Sequence, residues 1–378
     1  MKKIFLSVGD LSGDIHCAAL TRELLRRHPD WQIYALAGAN TRDAGATIIG
    51  DTSGLGVIGF SSALAVVPRS WRLKKRAFQW LAANQCDAAI LCDWGGFNTR
   101  ILPDLNQAQI PVAYYFPPRS WQKTGAGGLG IAPHCAAIAT PFSWSAERLN
   151  DAGANAVWVG HPILERLDNA APRDELRAQF GIAADETLIA LLPGSRAMEL
   201  SSIAPHVAGA CQILAQDKRK FIVAAAPDAT IALRQVFDAQ FQIIEDRTFD
   251  ILRAADFAIV KSGTSTLEAA VANCPQIVVY DAPRLLHWQV ALTGLRKKIP
   301  FIGMPNIIAG RAVVPEILGD DCRAANIAAQ AETLLNDDAQ RAVMRDDYAA
   351  VRTALGAELG QRATAATADL VEQIVARK

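Results

Sequence analysis

The sequence predicts an α/β protein with two doubly wound parallel sheets and a helical C-terminal segment. Short apolar runs alternate with longer helical segments through the first 323 residues. The runs are apolar throughout, which is typical of parallel strands that helices cover on both faces. At 378 residues, the chain also has room for two domains of ordinary size.

The predicted strands form two series, each with the strand–helix alternation of a Rossmann-like domain. The first series comprises residues 3–8, 32–36, 88–92, 112–115, 136–139 and 157–159. The second comprises residues 188–192, 221–225, 242–244, 257–260 and 277–280. Helices are predicted between them, for example over residues 15–27, 70–84, 203–216 and 264–272.

The segment from residue 160 to about residue 173 lacks β character and separates the two series. We therefore predict a first Rossmann-like domain over residues 1–165 and a second over residues 166–323. Residues 324–378 are rich in alanine and in charged residues and show no strand pattern. This pattern predicts a set of C-terminal helices.

Composition excludes several classes of protein. Lysine plus arginine equals aspartate plus glutamate at 38 each, so no overall field attracts nucleic acid. The seven cysteines are scattered without a C-x-x-C pair, which predicts neither a disulfide framework nor a metal site and favours a reducing, cytoplasmic location. The longest uncharged apolar stretch, residues 52–68, contains several glycines and serines and is too short to span a bilayer.

No cofactor is predicted. Two stretches match G-x-G-x-x-G, at residues 54–59 and 125–130. A dinucleotide site needs this motif between a strand and a helix, with an acidic residue about 20 positions further on. Neither stretch has that context.

Asp93 and His16 are candidate catalytic residues of the first domain. Asp93 ends a buried run and is followed by Trp94, and a carboxylate in such a place suits a general base with a raised pKa. A capping or turn aspartate is an equally good interpretation. His16 belongs to the first helix, although a lone histidine is more often structural.

The first turn, residues 9–14, contains Ser12, Gly13 and Asp14. Glycine lets the backbone approach a ligand, and the following helix presents unpaired N–H groups. The alternative, that Asp14 or Ser12 merely caps the helix, is slightly favoured by the sequence.

Two turns of the second domain predict a diphosphate site. Residues 191–196 combine a strand end, a glycine turn, Ser195 and Arg196, and backbone N–H groups with a guanidinium group suit a pyrophosphate. Alternatively, Arg196 pairs with Glu199 on a solvated face.

The next turn repeats the arrangement. Ser262, Gly263 and Thr264 follow Lys261 at the start of a helix, where hydroxyl groups and a cation suit an anion, and Glu268 could accept hydrogen bonds from ribose. Ser265 and Glu268 also have the spacing of a capping box. The two interpretations are compatible.

An apolar stretch over residues 57–67 precedes a basic run formed by Arg69, Arg72, Lys74, Lys75 and Arg76. An apolar surface beside basic residues is how proteins bind anionic membranes. Residues 285–298 form a second candidate. Core packing followed by a solvated helix face is the simpler explanation of each stretch, but two of them favour peripheral membrane contact.

Together these segments resemble the lipid-A-disaccharide synthase family, in the family's order and over nearly the whole chain. The matching pieces of the first half are Ser12-Gly13-Asp14 with His16, Val57-Ile58-Gly59, Asp93 with Phe97-Asn98, and Gly160-His161-Pro162. Those of the second half are Leu191 to Arg196 with Glu199, Ser262-Gly263-Thr264, Thr266-Leu267-Glu268, and Pro305-Asn306 through Ala309-Gly310-Arg311.

The resemblance implies a GT-B fold and an inverting, metal-independent transfer. The donor would be UDP-2,3-diacylglucosamine and the acceptor 2,3-diacylglucosamine 1-phosphate, giving a β-1,6 disaccharide and UDP. Asp93 would be the catalytic base. The implied UDP-binding residues are Ser195, Arg196, Ser262, Gly263, Thr264, Glu268, Asn306 and Arg311, and those on the acceptor and acyl side are Ser12, Gly13, Asp14, Val57, Ile58 and Asn98. Related enzymes form dimers, so a homodimer is left open.

The chain departs from the family pattern at three places. The family's D-A-P-D-F-N has a second aspartate where this chain has Gly96, the aromatic S-P-x-V-W-A-W segment reads differently at residues 117–122, and Lys261 is unusual on the donor side. The alternatives are therefore a related GT-B enzyme with another lipid acceptor, a UDP-GlcNAc 2-epimerase, or a non-catalytic protein that binds UDP-sugars or lipids.

Overall fold

The computed structural model describes residues 1–53, 60–125, 127–226, 229–281 and 300–377, with only the backbone of residues 60–67 and 197. The chain divides into two compact units. The first comprises Met1–Pro162 and Leu355–Lys378, and the second comprises Ile163–Ala354.

The first unit contains a seven-stranded parallel sheet in the order β3-β2-β1-β4-β5-β6-β7. Its strands are β1 (Lys3–Ser7), β2 (Gln32–Ala37), β3 (Thr47–Asp51), β4 (Ala88–Cys92), β5 (Val112–Tyr115), β6 (Ala137–Thr140) and β7 (Ala156–Trp158). Its helices are α1 (Leu11–Arg27), α2 (Ala39–Asp43), α3 (Phe60–Ala83), α4 (Gly95–Gln107), α5 (Ser143–Asp151), the 3-10 helix Leu129–His134 and the last helix, α15 (Ala363–Ala376). The strand order reverses between β1 and β4, and ligands of open parallel sheets bind at the carboxyl ends of strands at such a point.

The second unit contains a six-stranded parallel sheet in the order β10-β9-β8-β11-β12-β13. Its strands are β8 (Thr187–Leu192), β9 (Arg219–Ala225), β10 (Gln242–Glu245), β11 (Phe257–Lys261), β12 (Gln276–Tyr280) and β13 (Glu316–Leu318). Its helices are α6 (Arg173–Gln179), α7 (Ala197–Ser202), α8 (Ala204–Leu214), α9 (Thr230–Arg234), α10 (Thr248–Ala254), α11 (Thr264–Val271), α12 (Met304–Ala309), α13 (Ala324–Leu335) and α14 (Asp338–Ala354), with 3-10 helices at Pro162–Leu167 and Gly319–Asp321. The order reverses between β8 and β11.

Helices cover both faces of the first sheet, which is why its strands are apolar throughout. Leu24 of α1 and Val371 of α15 pack in one buried cluster with Leu6. Leu105 of α4 packs on the opposite face with Phe5. The apolar strand pattern in the sequence is therefore a direct consequence of burial on two sides.

The predicted α/β fold class is confirmed, and all eleven predicted strands are present with bounds within two residues of those expected. The sequence analysis missed β3 and β13. Both lie at sheet edges, β13 spans only three residues, and β3 contains a glycine and shows no continuous apolar run.

The C-terminal helices differ from the prediction of one separate segment over residues 324–378. Ile327 of α13 and Tyr348 of α14 pack in the core of the second unit. By contrast, α15 packs in the first unit, where Arg27 forms ion pairs with Asp369 and Glu372. The boundary between the units lies at residues 162 and 163 instead of 165 and 166. Helical periodicity identifies the buried face of a helix but not the sheet that covers it.

Candidate active site

Asn98 joins the carboxyl ends of β1 and β4. Its side chain is fully buried, and its Oδ1 accepts a 2.7 Å hydrogen bond from Ser7 Oγ. Its Nδ2 donates to the backbone oxygens of Ser7, Cys92 and Asp93 at 3.0 to 3.3 Å. Asn98, which was predicted on the acceptor side, therefore fixes the point at which the chain leaves β4.

Asp93 follows β4 directly, in the left-handed region with φ at 42°. The residue is exposed at the sheet edge, but the surrounding protein partly desolvates its carboxyl group. This desolvation and, second, the charge of Asp10 raise its pKa from 3.8 to about 7, against a smaller opposing effect of the hydrogen bond with the Trp94 backbone. A carboxyl group that is half ionised at neutral pH suits a general base.

The turn formed by Asp93 and Trp94 is held on three sides. Trp94 also has positive φ, at 44°, and its ring stacks on Phe97 with centroids 4.0 Å apart. A Cβ on Gly9 would lie 2.2 Å from that ring, so only glycine leaves space for it. Tyr114 donates a 2.7 Å hydrogen bond from its hydroxyl group to the Asp93 carbonyl oxygen. Strain of this kind persists where the surroundings over-determine the backbone, often at functional sites.

The start of α1 corrects the predicted cap. Asp10, and neither Ser12 nor Asp14, is the N-cap, and its Oδ1 accepts a 3.2 Å hydrogen bond from the Gly13 N–H. Gly13 is buried, and a Cβ there would lie 2.6 Å from Asp10 Oδ1. Ser12 and Gly13 thus belong to the turn that faces the carboxyl end of β1.

Asp14, whose place on the acceptor side stays a prediction, has a carboxylate that binds other parts of the first unit. Its buried carboxylate accepts hydrogen bonds from the Gly38 N–H at 2.9 Å, from both nitrogens of Asn40 at 3.0 Å and from Thr41 Oγ1 at 2.6 Å. These bonds occupy the carboxylate and attach the segment after β2 to α1.

His16 belongs to an aromatic cluster. Its ring stacks on Phe116 at 4.9 Å and meets the edge of His161 at 5.7 Å. Burial and, second, the proximity of His16 hold the pKa of His161 well below 6.5, so His161 is neutral. The proposed catalytic part of His16 remains a prediction.

Glu199 organises the carboxyl end of β8. The residue is 6% exposed, and its Oε2 accepts hydrogen bonds from the N–H groups of Ser195 at 3.1 Å and Arg196 at 3.3 Å. Its Oε1 lies 3.2 Å from Arg196 Nη1 and 2.5 Å from Lys261 Nζ. At Gly194, whose φ is 121°, a Cβ would lie 2.7 Å from Glu199 Cβ, so the turn requires glycine.

In the turn after β8, the backbone N–H groups have a different partner from the diphosphate that the sequence predicted. The N–H groups of Ser195 and Arg196 bind Glu199, so they do not face a ligand as expected. Arg196 pairs with Glu199, as in the alternative interpretation, but Glu199 is buried and does not lie on a solvated face. Burial raises the pKa of Glu199, but the hydrogen bond and charge of Lys261, with smaller contributions from Ser195 and Arg196, outweigh it and lower the pKa.

The start of α11 lies at the neighbouring strand end. Gly263 is the N-cap, with φ at 147°, so the predicted capping box of Ser265 and Glu268 is wrong. Ser262 Oγ donates to the carbonyl oxygen of Ile302 at 2.9 Å, and Thr264 is exposed as the first residue of the helix.

Glu268 forms an ion pair within the second unit. Its Oε1 lies 2.8 Å from Arg166 Nη1. Burial raises the pKa of Glu268, although Arg166 and the Ser265 hydroxyl group oppose it. The carboxyl group that was predicted to bind ribose thus already has a cationic partner.

Asn306, which was predicted to bind UDP, has a buried side chain that is bound within the second unit. Its side chain is 1% exposed; Oδ1 accepts hydrogen bonds from the N–H groups of Val313 and Val314, and Nδ2 donates to the Val314 carbonyl oxygen and to Glu316. All hydrogen-bonding positions of the amide are therefore used to support the segment before β13, and none is left for UDP.

Arg311 forms a bidentate pair with Asp347 of α14, which raises the pKa of Arg311. Its side chain is 58% exposed. A bidentate partner holds a guanidinium group in one orientation, so Arg311 would have to leave Asp347 to bind UDP.

Val57 and Ile58 lie outside the described residues, as does the whole of the second membrane candidate, residues 285–298. The basic run after them lies on α3. There Arg69, Arg72 and Arg76 line a surface cavity of about 220 Å³ together with Asp51 and Leu73. Within the described ranges, no helix combines the length and apolar character needed to span a bilayer.

A family model described as lipid-A-disaccharide synthetase matches residues 4–371. The chain belongs to this family. A lipid-A-disaccharide synthase of Gloeothece citriformis is 36% identical over 371 residues, which cover 94% of this chain and 96% of the relative. One from Synechocystis is 32% identical, with 94% of each chain covered.

The solved structures that resemble this chain share its fold at low sequence identity. A UDP-GlcNAc 2-epimerase from Neisseria meningitidis, bound to UDP-GlcNAc, superposes with a TM-score of 0.65 at 11% identity over the whole of both chains. MurG from Acinetobacter baumannii superposes with a TM-score of 0.57 at 14% identity, covering 99% of this chain and all of MurG. These similarities confirm the GT-B fold class.

Sequence reasoning missed one residue and one contact of the site. Asp10, whose charge acts on Asp93, is an aspartate directly before the first helix, which is the sequence signature of an N-cap. Lys261 was predicted as a cation of the anion site, but its ion pair with Glu199 was missed. This pair joins two strands, and a single sequence carries no signal for such a contact.

Proposed function

We propose that the chain transfers 2,3-diacylglucosamine from UDP to the 6-hydroxyl group of 2,3-diacylglucosamine 1-phosphate, with inversion. The family supports this reaction class. The observation that carries the proposal is Asp93: its carboxyl group lies at the strand-order reversal of the first sheet, with a pKa raised to about 7 by desolvation and by Asp10.

In the proposed step, the ionised carboxylate of Asp93 accepts the proton of the acceptor hydroxyl group. The acceptor oxygen forms a bond to the anomeric carbon while the bond from that carbon to the UDP oxygen breaks. The electron pair of that bond leaves with UDP, and the proton passes from Asp93 to solvent. Inversion follows from attack on the face opposite the leaving group.

The donor half would be bound by the second unit. Arg196 would supply positive charge, and Gly263 and Thr264 at the start of α11 would supply hydrogen-bond donors, for a diphosphate. Ser262 donates to the carbonyl oxygens of Val279 and Ile302, so its hydroxyl group would have to leave Ile302 to join them. We expect UDP binding to persist in EDTA, because no metal ion is part of the proposal.

The product assay tests the transfer. Acylated UDP-glucosamine and acylated glucosamine 1-phosphate are incubated with the protein, and mass spectrometry should detect a disaccharide and UDP. Incubation with UDP-GlcNAc alone tests the second candidate, an epimerase, which the shared fold of the Neisseria enzyme favours; UDP-ManNAc would be its product. UDP binding without any product would indicate a non-catalytic protein.

We also propose peripheral contact with anionic membranes through the basic face of α3. Arg72, Lys75 and Arg76 are exposed, and each basic residue near an anionic surface contributes about 1 kcal/mol, less at high salt. Replacing Arg72, Lys75 and Arg76 with glutamate should abolish salt-sensitive binding to anionic vesicles without changing UDP affinity. Wild-type protein that ignores such vesicles at low salt would refute the contact.

A further inference from the structure

Lys261 lies where the second sheet reverses its strand order. It is the last residue of β11, level with the end of β8 because Val260 pairs with Leu192. Its Nζ lies 2.5 Å from Glu199 Oε1 and 3.5 Å from the position of a Cβ on Gly263. The ammonium group is therefore situated between the turn after β8 and the first turn of α11.

Lys261 and Arg196 share one carboxylate. The side chains of Lys261 and Glu199 are 13% and 7% exposed, whereas that of Arg196 is 39% exposed. Lys261 is also the closer partner, since its distance to Glu199 is 2.5 Å against 3.2 Å for Arg196. Because Coulomb attraction is stronger at short distance and in poorly hydrated surroundings, Lys261 neutralises Glu199 and leaves one positive charge at the more exposed guanidinium group.

Among the residues that the structure describes, Arg196 would be the only cation paired with this buried carboxylate if Lys261 were absent. Such an isolated buried charge is costly, and Arg196 would compensate it with a charge-assisted bond. The guanidinium charge would then be cancelled by the protein itself.

We propose that Lys261 is a positioning residue of the donor site: it neutralises Glu199 and thereby leaves Arg196 available to the diphosphate of a nucleoside-diphosphate sugar. This inference rests on the proposed function, since it concerns the same donor site.

The test is calorimetric titration of UDP into the full chain. Lys261→Met should weaken UDP binding about tenfold, because Arg196 is then held by Glu199. Adding Glu199→Gln should restore affinity to within about threefold of wild type, because the neutral amide still accepts from the N–H groups of Ser195 and Arg196 but no longer holds the guanidinium group. Lys218→Met removes a lysine from an exposed pair with Asp185 and serves as the control, with unchanged affinity.

Recovery of UDP affinity in the double variant distinguishes this proposal from a purely structural ion pair between Lys261 and Glu199. If the double variant binds UDP as weakly as Lys261→Met, or if Lys261→Met binds like wild type, the inference is overturned. Thermal melting checks that each variant folds. Should Lys261→Met fail to fold, the single variant Glu199→Gln provides the test. This variant should bind UDP at least as tightly as wild type does, and tenfold weaker binding overturns the inference. Wild-type protein that does not bind UDP would instead overturn the proposed donor.

Discussion

The two strand-order reversals of this protein each carry a carboxyl group, and their electrostatics are opposite. At the end of β4, desolvation and the charge of Asp10 raise the pKa of Asp93 to about 7. At the end of β8, Lys261 and Arg196 lower the pKa of Glu199 despite its burial. Carboxyl groups whose surroundings move their pKa values apart have different chemical roles.

The difference comes from the partners that each edge supplies. The first edge is held by Asn98, whose side-chain amide donates to backbone oxygens. Because this amide is neutral, it does not offset the negative charge of the Asp93 carboxylate. The second edge is held by Glu199 itself, which bonds to two N–H groups and two cations. The first arrangement suits proton transfer, and the second suits the organisation of positive charge for an anion.

The largest expected effect is at Asp93. Asp93→Asn removes the proposed base while keeping the size of the side chain, so kcat should fall by roughly 10²–10⁴ with UDP affinity almost unchanged. Steady-state kinetics and calorimetry measure the two quantities, and thermal melting confirms folding. Normal turnover would reduce Asp93 to a structural turn residue.

The pH profile sharpens the same contrast. The base is active when ionised, so kcat/KM should rise with pH up to about 7 and fall about tenfold for each unit below it. Asp10→Asn keeps an N-cap of α1 but removes the charge that raises the pKa of Asp93. The midpoint should therefore move to lower pH, yet stay above that of an ordinary aspartate, because desolvation is the larger cause. A midpoint that does not move would remove Asp10 from the site.

Asn98 tests how the first edge is held. Asn98→Ala leaves three carbonyl oxygens, two of them in buried hydrogen bonds, without this donor, and the free energy of unfolding should fall by about 3 kcal/mol. Asn106→Ala, on the same helix, removes one contact with His134 and should lower it by only about 1 kcal/mol. Urea denaturation compares the two, and equal losses would contradict the special position of Asn98.

Arg196 tests the second edge. A charge-assisted hydrogen bond contributes about 1.5–3 kcal/mol, so Arg196→Ala should weaken UDP binding about tenfold to a hundredfold while leaving the pH midpoint of the reaction unchanged. Arg234→Ala, on α9 of the same unit, is the control. Unchanged UDP affinity in Arg196→Ala would exclude the guanidinium group from the donor site.

The sequence predicted the elements better than the contacts that join them. Strand ends and turns follow from local patterns, so the sequence correctly predicted that Asp93, Arg196 and Ser262 lie in turns that follow strands. The hydrogen bonds of Asp14 and Asn306 were not predictable, because their partners, Thr41 and Val313 among them, become neighbours only when the chain folds.

The smallest expected effect concerns Gly96, where the family pattern has a second aspartate. Gly96 is exposed on the first turn of α4, and a Cβ there would have no neighbour within 4 Å. At Gly95, by contrast, a Cβ would lie 2.9 Å from Pro118 Cβ. Gly96→Asp should therefore fit without strain, and the gain in helix propensity and the favourable position of a negative charge near a helix N-terminus should raise the free energy of unfolding by about 0.5–1 kcal/mol.

Gly95→Ala is the matched contrast, and overpacking should lower the free energy of unfolding by about 1–3 kcal/mol. Gly96→Ala separates the effect of the charge from that of the lost glycine. The added carboxylate also lies close in sequence to Asp93, so Gly96→Asp should move the pH midpoint of kcat/KM upward, as a nearby like charge raises a carboxyl pKa. A midpoint shared by Gly96→Asp and Gly96→Ala would show that residue 96 is too distant to act on the base, which would leave desolvation and Asp10 as the causes of its raised pKa.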